Sequence, residues 1–461
     1  MKNIRISAEA FLQGLKDKPV AICGIGHNNL PVIRQFIRCK AKITACDKRT
    51  REQLGETADQ LEQEGVTLSL GERYLEGILD AQLILRTPGM KPYLPELEAA
   101  RRRGATVTSE MELFFSLCPA PIYGVTGSDG KTTTTTILAG LLETTGKTVH
   151  LGGNIGRPLL PEIERVSSDD IAVVELSSFQ LTQMTQSPDV AVVTNVAPNH
   201  LDWHTDMQEY IDAKKNLLLY QPKNGRAVLN ADNEITAGFA ADLPGEVWMF
   251  SRRHPVSRGV WLAEDGGIYV CDGNSTTFVM RAADIRLPGV HNVENYMAAI
   301  AAAWGMVKTE DILAYAREFG GVEHRCEFVR ETEGVRWYND SIASSPSRTI
   351  AGLKSFPQKV ILIAGGYDKH IPYTPLGPVA AQTVKAAVLL GSTADAIETS
   401  IRQCSNLPIH RVHTMEDAVK AAQKIAESGD IVFMSPASAS FDMYRNFEER
   451  GNDFKTIVNR L

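Results

Sequence analysis

Residues 121–136 read PIYGVTGSDGKTTTTT, and no other stretch limits the possible folds of this chain so tightly. A short apolar run is followed by a glycine-rich turn, then by a lysine that opens a threonine-rich segment. Strand, glycine loop and helix in that order build an anion site at the edge of a parallel sheet. Glycine lets backbone N–H groups turn inward, the helix start carries partial positive charge, and a lysine reaches terminal phosphates. Gly127 and Gly130 flank the turn, Ser128 and Asp129 fill it, and Lys131, Thr132 and Thr133 start the helix. The Thr132 hydroxyl stands where Mg²⁺ is bound in such loops. The strict spacing G-x-x-x-x-G-K-[ST] fails, because Val125 occupies the first glycine position and Gly124 comes one step early. The plainer alternative is a glycine turn beside a solvated lysine.

The same strand–turn–helix grammar recurs along the chain. KPVAICGIGHNNLPVIRQFIRCKAKITACDKR (18–49) reads as strand, glycine turn, helix and second strand closed by Asp47. Short apolar runs at 81–89, 104–110, 170–176, 189–196, 359–368, 386–391 and 431–442 read as further strands. HNVENYMAAIAAAWG (291–305) reads as a helix, and 226–280 as a stretch richer in turns. The arginines at 101–103 read as a solvated helix face. Strands alternating with helices predict an α/β protein with parallel, doubly wound sheets throughout. The 461 residues divide into three domains breaking near 112 and 320: 1–112 Rossmann-like, 113–320 a central phosphate-loop sheet, and 321–461 Rossmann-like.

Net charge narrows the partners. At −7 the chain does not suit a general nucleic-acid or anionic-membrane surface, so an anionic ligand must be held by local cations and amides. No apolar run approaches the ~20 residues that cross a bilayer, and MKNIRISAEAFLQG lacks the plan of a signal peptide. The seven cysteines are scattered without a C-x-x-C pair. Reduced thiols in a cytoplasmic protein are the expectation.

Strand-end positions sharpen the phosphate-loop reading. Glu175 closes the run IAVVE, and His200 follows VAVVTNV. Residues just past the carboxyl ends of parallel strands face the ligand crevice, so Thr132, Glu175 and His200 are expected to meet there around Mg²⁺. Lys214, in QEYIDAKKNLL, lies on an amphipathic helix directly after. Read by itself it is a surface lysine, and spacing does not choose between it and Lys215.

GVTGSDGKTTTT, GGNIG (152–156), VVELSSFQL (173–181), NVAPNHLDWH (195–204), LPGVHNVEN (287–295), EHRCE (323–327), YNDSIASSP (338–346), GGYDKH (365–370) and SPASASFDMYRNFEERGNDF (435–454) follow in this order. Together they resemble the Mur ligase family over essentially the whole chain. The last segment points to its D-glutamate-adding branch, and the DNPR motif of the diamino-acid-adding branch is absent.

That resemblance implies an ATP-dependent ligase of peptidoglycan precursor synthesis. ATP would phosphorylate the alanyl carboxylate of UDP-N-acetylmuramoyl-L-alanine, and the amine of D-glutamate would displace the phosphate. By matching motif, Gly127, Ser128, Asp129, Gly130, Lys131, Thr132 and Thr133 would hold the ATP phosphates. Asn292 and Asn295 would contact adenine, Arg325 the phosphates and Asp340 the ribose. Thr132 and Glu175 would hold a first Mg²⁺, with His200 and Lys214 at a second. The Y-x-x-A-K context selects Lys214, which the family carbamylates with CO₂. Gly26, His27, Asn28, Asp47, Lys48, Thr87, Gly89, Asn154 and Ser178 would hold the UDP-sugar. Lys369, Ser344, Ser440, Phe441 and Phe447 would hold D-glutamate. The implied partners are these small molecules, with no nucleic acid or membrane, and a monomer that closes its domains on them.

Read alone, the GIGHNN turn suits UDP, NAD or no nucleotide, since Asn29 replaces the last glycine of G-x-G-x-x-G. Asn292 read alone is a helix cap, and Ser440 a turn residue. Two further departures from the family pattern stand out: Ile342 replaces the lysine of NDSKAT, and Ser128-Asp129 replaces Thr-Asn. A folylpolyglutamate-type ligase and a non-catalytic nucleotide-dependent regulator are the competing readings. The last segment opposes the first, and the intact Lys131, Glu175, His200, Lys214 and Arg325 oppose the second.

Overall fold

A computed structural model describes residues 7–26 and 28–461. Three sheets organise the chain. The first contains β1 (Pro19–Cys23), β2 (Lys42–Asp47), β3 (Thr67–Leu70), β4 (Leu83–Leu85) and β5 (Thr106–Thr108) in the order β3-β2-β1-β4-β5. All its pairs are parallel. Val20, Ala21, Ile22 and Cys23 are buried on both faces, which is why this strand reads as a continuous apolar run.

The second sheet contains β6 (Ile122–Thr126), β7 (Val149–Gly153), β8 (Ile171–Glu175), β9 (Val190–Val193), β10 (Arg226–Asn230), β11 (Glu246–Ser251), β12 (Gly259–Leu262), β13 (Gly267–Cys271) and β14 (Thr276–Arg281). Its order is β14-β13-β12-β11-β10-β9-β6-β8-β7. From β7 through β12 the pairs are parallel. The turn-rich stretch 226–280 therefore holds strands, and the expectation of parallel sheets throughout is corrected here: β12–β13 and β13–β14 are antiparallel. Short turns such as Asp265-Gly266 force neighbouring strands to reverse, because a parallel return needs a crossover of a dozen residues or more. Across this meander Trp261 stacks on Tyr269 at 5.6 Å, and Tyr269 meets Phe278 edge-on at 5.4 Å.

The third sheet contains β15 (Glu327–Thr332), β16 (Val335–Asn339), β17 (Val360–Gly365), β18 (Val384–Leu390), β19 (Ile409–Arg411) and β20 (Ile431–Met434) in the order β15-β16-β20-β17-β18-β19. Only the hairpin β15–β16, turned at Glu333-Gly334, is antiparallel.

Two compact units result. One runs to Ala282 and takes in Glu294–Leu313, with the first two sheets. The other comprises Ala283–Val293 and Ala314–Leu461, with the third. Each has its own core, Phe36, Phe114, Val174 and Leu217 in the first and Leu362, Trp337, Phe433 and Phe454 in the second. Among the described residues no helix is long and apolar enough to cross a membrane.

Candidate active site

β6 lies between β8 and β9, with Val125 opposite Glu175 and Thr126 opposite Val193. Its carboxyl end opens into Gly127–Gly130, and the helix Lys131–Glu143 follows at once. Both loop glycines are required. Gly127 has φ 154° and Gly130 φ 77°, and a Cβ would come within 1.9 Å of Thr194 Oγ1 at the first and 2.4 Å of Asn295 Oδ1 at the second.

The loop is braced from the end of β9. Ser128 N donates to Asn195 O, and Asp129 N to Asn195 Oδ1, each at 2.9 Å. The Thr194 hydroxyl donates to Asp129 O at 2.6 Å. The Ser128 hydroxyl lies 2.9 Å from Ala197 O and from Tyr210 Oη. Asn295 Oδ1 accepts from the Thr134 hydroxyl at 3.1 Å, so the residue expected at adenine fastens the first turn of the phosphate-loop helix. Thr132 and Thr133 lie half-buried in that turn, and Asp129 is exposed with its backbone held on both sides.

Two ammonium groups converge on one loop carbonyl. Lys131 Nζ donates to Gly127 O and Ser128 O, both at 2.9 Å. Lys214 Nζ donates to the same Gly127 O at 2.7 Å and toward Thr126 Oγ1 at 3.4 Å. Lys214 is no surface lysine. It is 1% exposed on the buried face of the helix Met207–Leu219, with its ammonium 4.7 Å from the Tyr210 ring centre. Burial first and Lys131 second hold its ammonium well below the ordinary lysine range, against the pull of Asp129 and Glu175.

Glu175 ends β8 and is 1% exposed. Its Oε1 accepts from Asn154 Nδ2 at 2.7 Å, while Oε2 is buried without a hydrogen-bond partner. A buried carboxyl oxygen left without a hydrogen-bond partner is costly unless another group meets it. With Thr132 at the helix start, this oxygen fits the hard-cation chemistry of Mg²⁺, which takes one or two protein ligands and completes its shell with water and phosphate. Among the described residues no three His, Cys, Asp or Glu side chains form a ready-made metal cage. His200 is exposed at φ 55°, its ring 4.9 Å from that of Phe179. Partial burial and then the nearby Lys131 and Lys214 charges lower its imidazolium pKa, so the neutral, ligating form is favoured.

In the first sheet, the turn after β1 carries Gly26 and Asn28, both exposed; His27 lies outside the described residues. Asn29, at the missing glycine position, holds the turn by donating to Cys23 O and Gly24 O at 3.0 and 3.1 Å. Asp47 ends β2 and accepts from Ile25 N at 2.7 Å and from Arg49 Nη2 at 2.8 Å. Burial opposes ionisation there, but the hydrogen bonds from Arg49 and Ile25 hold the carboxyl at about 2. Lys48 lies 5.9 Å from the Tyr74 ring centre. Thr87 and Gly89 follow β4, and Gly89 O accepts from Trp203 Nε1 at 3.0 Å. Ser178 is buried, its hydroxyl 2.9 Å from His204 Nε2.

The second unit carries the remaining candidates. Asn292 donates from Nδ2 to Pro288 O at 2.7 Å, one turn before it. Arg325 is exposed next to the bridge it forms with Val322. Asp340 is buried, accepting from the Ser435 hydroxyl at 2.7 Å and from Cys326 N at 3.1 Å. Lys369 is exposed past β17, and Ser344 half-buried past β16. Past β20, Ser440 is 3% exposed and Phe441 61% exposed, its ring 5.9 Å from that of Tyr367. Phe447 starts the helix Phe447–Val458 with its ring against His324. The Ile342 carbonyl accepts from Arg348 Nη1 at 3.2 Å.

Sequence reasoning missed Thr194, Asn195 and Tyr210 as the brace of the phosphate loop. Thr194-Asn195 directly follows the apolar run of β9, and that strand-end position was the available signal.

Comparison with known proteins finds one family along the chain. Residues 18–109 match the family model for the Mur ligase MurD-like N-terminal domain, 125–303 the Mur ligase middle domain, and 324–438 the Mur ligase glutamate ligase domain. The UDP-N-acetylmuramoylalanine–D-glutamate ligase of Acetivibrio thermocellus is 52% identical over 458 residues, 98% of each chain. That of Ruminiclostridium cellulolyticum is 48% identical over 460 residues, 98% of this chain and 99% of its own. Among solved structures, the UDP-N-acetylmuramate–alanine ligase of Thermotoga maritima superposes with a TM-score of 0.57 at 16% identity, covering 96% of this chain and 99% of that one. The MurF ligase of the same organism, solved with ADP, gives 0.53 at 17% identity over 98% and 97%. At such identities the structures speak for the fold.

Proposed function

The chain belongs to the Mur ligase family, and on that premise we propose that it joins D-glutamate to UDP-N-acetylmuramoyl-L-alanine with ATP, in peptidoglycan precursor synthesis. The observation that carries the chemistry is the convergence of Lys131 and Lys214 on one carbonyl of the loop between β6 and its helix. The Lys131 cation there suits a nucleotide polyphosphate, and the buried Lys214 amine beside it suits the metal that accompanies one. The three-domain division 1–112, 113–320 and 321–461 and a cytoplasmic, monomeric enzyme complete the reading.

A carboxylate acylates nothing until it carries a leaving group. An alanyl carboxylate oxygen therefore attacks the γ-phosphorus, and the bond to the bridging oxygen breaks, releasing ADP. The D-glutamate nitrogen then attacks the acyl carbon. Phosphate leaves with the C–O electron pair, the nitrogen loses a proton, and an amide remains. Lys131 exchanges its carbonyls for β- and γ-phosphate oxygens, and the amides at the helix start donate to the same anion. The brace from Thr194 and Asn195 fixes the loop that leads into those amides before the reaction, so little reorganisation is left for the transition state.

Glu175 Oε2 and Thr132 would hold one Mg²⁺, and His200 with a carbamylated Lys214 a second. When bound, Mg²⁺ supplies charge neutralisation between two anions that must approach each other. An ammonium cannot ligate a cation, but Lys214 is held toward its neutral amine by burial, and attack of that nitrogen on CO₂ with loss of one N–H proton would make it an anionic carbamate oxygen donor.

Phosphate release from Mg-ATP tests the assignment. It should require both UDP-N-acetylmuramoyl-L-alanine and D-glutamate, with L-glutamate inert. Release with a folate acceptor and L-glutamate instead would point to the folylpolyglutamate-type reaction, and binding of ATP without any turnover to a regulator.

A further inference from the structure

Arg450 is one of the largest side chains removed from water in the second unit, at 1% exposure. It lies one turn into the helix Phe447–Val458. Its guanidinium makes four hydrogen bonds, all to neutral oxygens: Nε to Ser341 Oγ at 3.0 Å, Nη2 to Ser341 O at 2.8 Å, and Nη1 to Ser438 O at 3.1 Å and Ala439 O at 2.9 Å. Among the described residues no carboxylate lies within ion-pair distance. Asp442, the acid that acts on it through space, is exposed and accepts from Ser392 N at 3.2 Å. Burial lowers the guanidinium only to about 10, so it remains charged at neutral pH.

An arginine buried on three carbonyls and one hydroxyl is an expensive way to tie loops together, since the desolvation of its charge is not returned by a counter-ion. The loops it ties are those past the carboxyl ends of β16 and β20, where a parallel sheet holds its ligand. A third loop, past β17, packs on the same group: a Cβ at Gly366 would stand 3.1 Å from Arg450 Nη1 and 2.2 Å from Ala439 O. Ser344, Lys369 and Ser440 are carried by these three loops.

We propose that Arg450 is a positioning residue for the incoming amino acid: it fixes the three loops that hold D-glutamate and lends them a positive charge that no protein carboxylate cancels. The inference rests on the reading above that this unit receives D-glutamate. That ligand carries two carboxylates against one ammonium, and an uncompensated buried cation is complementary to its net negative charge.

Steady-state kinetics of the full chain with Arg450→Gln and Arg450→Lys test it, each variant first checked for a native circular dichroism spectrum. Arg450→Gln should raise KM for D-glutamate about 10- to 100-fold, as loss of charged hydrogen bonds implies, while KM for ATP and for the UDP-sugar stay within about twofold. Arg450→Lys keeps the charge without the fork and should raise it by about three- to tenfold. If only the lysine variant folds, its selective rise decides alone. A folded variant with an unchanged KM for D-glutamate, or with all three KM values rising together, overturns the proposal. Wild-type protein inert toward D-glutamate would overturn the functional reading and this inference with it.

Discussion

Lys131 and Lys214 share the Gly127 carbonyl, and the Lys131 charge, which helps hold Lys214 toward its neutral amine, is the one left to meet a phosphate. Lys131→Ala should therefore lower kcat by at least about 100-fold, the scale set by removing one preorganised charge donor, while leaving UDP-sugar binding intact by calorimetry. Near-normal turnover would remove the phosphate loop from the mechanism. Lys214→Ala should be inactive but regain part of its rate with a short carboxylic acid such as acetate, which supplies the lost anionic oxygen. A folded variant that no carboxylate revives would exclude the carbamate. At this scale Lys131 and Glu175 were legible, because a motif or a strand end marks each. The partners of Ser128, Asp129 and Gly130 were not. They come from Thr194, Asn195, Tyr210 and Asn295, distant in sequence, and only the β6–β9 pairing and the packing of two helices bring them near.

Among the elements, β6 explains the failed motif. Gly124 is not a displaced loop glycine but a mid-strand residue beneath the helix Met207–Leu219. A Cβ there would meet Pro188 Cγ at 2.9 Å and Leu217 Cδ1 at 3.1 Å. Val125, alternating to the other face, is fully buried, so the strand's packing sets both residues independently of phosphate. Gly124→Val should overpack this contact and lower stability by about 1–3 kcal/mol, read as an earlier midpoint in urea with an unchanged slope. An unaltered midpoint would mean that strand and helix are less tightly apposed. The βα units were legible from apolar runs and glycine turns because burial on both faces makes parallel strands conspicuous. β12–β14 were hidden for the converse reason: Thr276, Phe278 and Arg281 on β14 face water, and polar residues interrupt the pattern.

For the whole molecule, a net charge of −7 says little about where anions bind, but it is compatible with acids buried far from any surface pair. Asp340 is the clearest. Burial, only partly offset by the Ser435 hydroxyl, the Cys326 amide and the Arg325 and Arg348 charges, pushes its carboxyl up to about 7. In the unfolded chain the same group titrates near about 4. Between those values the folded protein holds a proton that the unfolded chain has lost, so rising pH favours unfolding. The contribution of Asp340 is thus fully present below about pH 4, declines as pH climbs toward 7, and is gone above it. The urea midpoint should fall between pH 5.5 and 8.5 in the wild-type chain and fall less in Asp340→Asn, whose amide cannot ionise. Comparing the two slopes removes every other titrating group they share. Parallel slopes would mean that Asp340 is ionised in the folded protein at both pH values, and its hydrogen bonds from Ser435 and Cys326 would then be those of a carboxylate already charged.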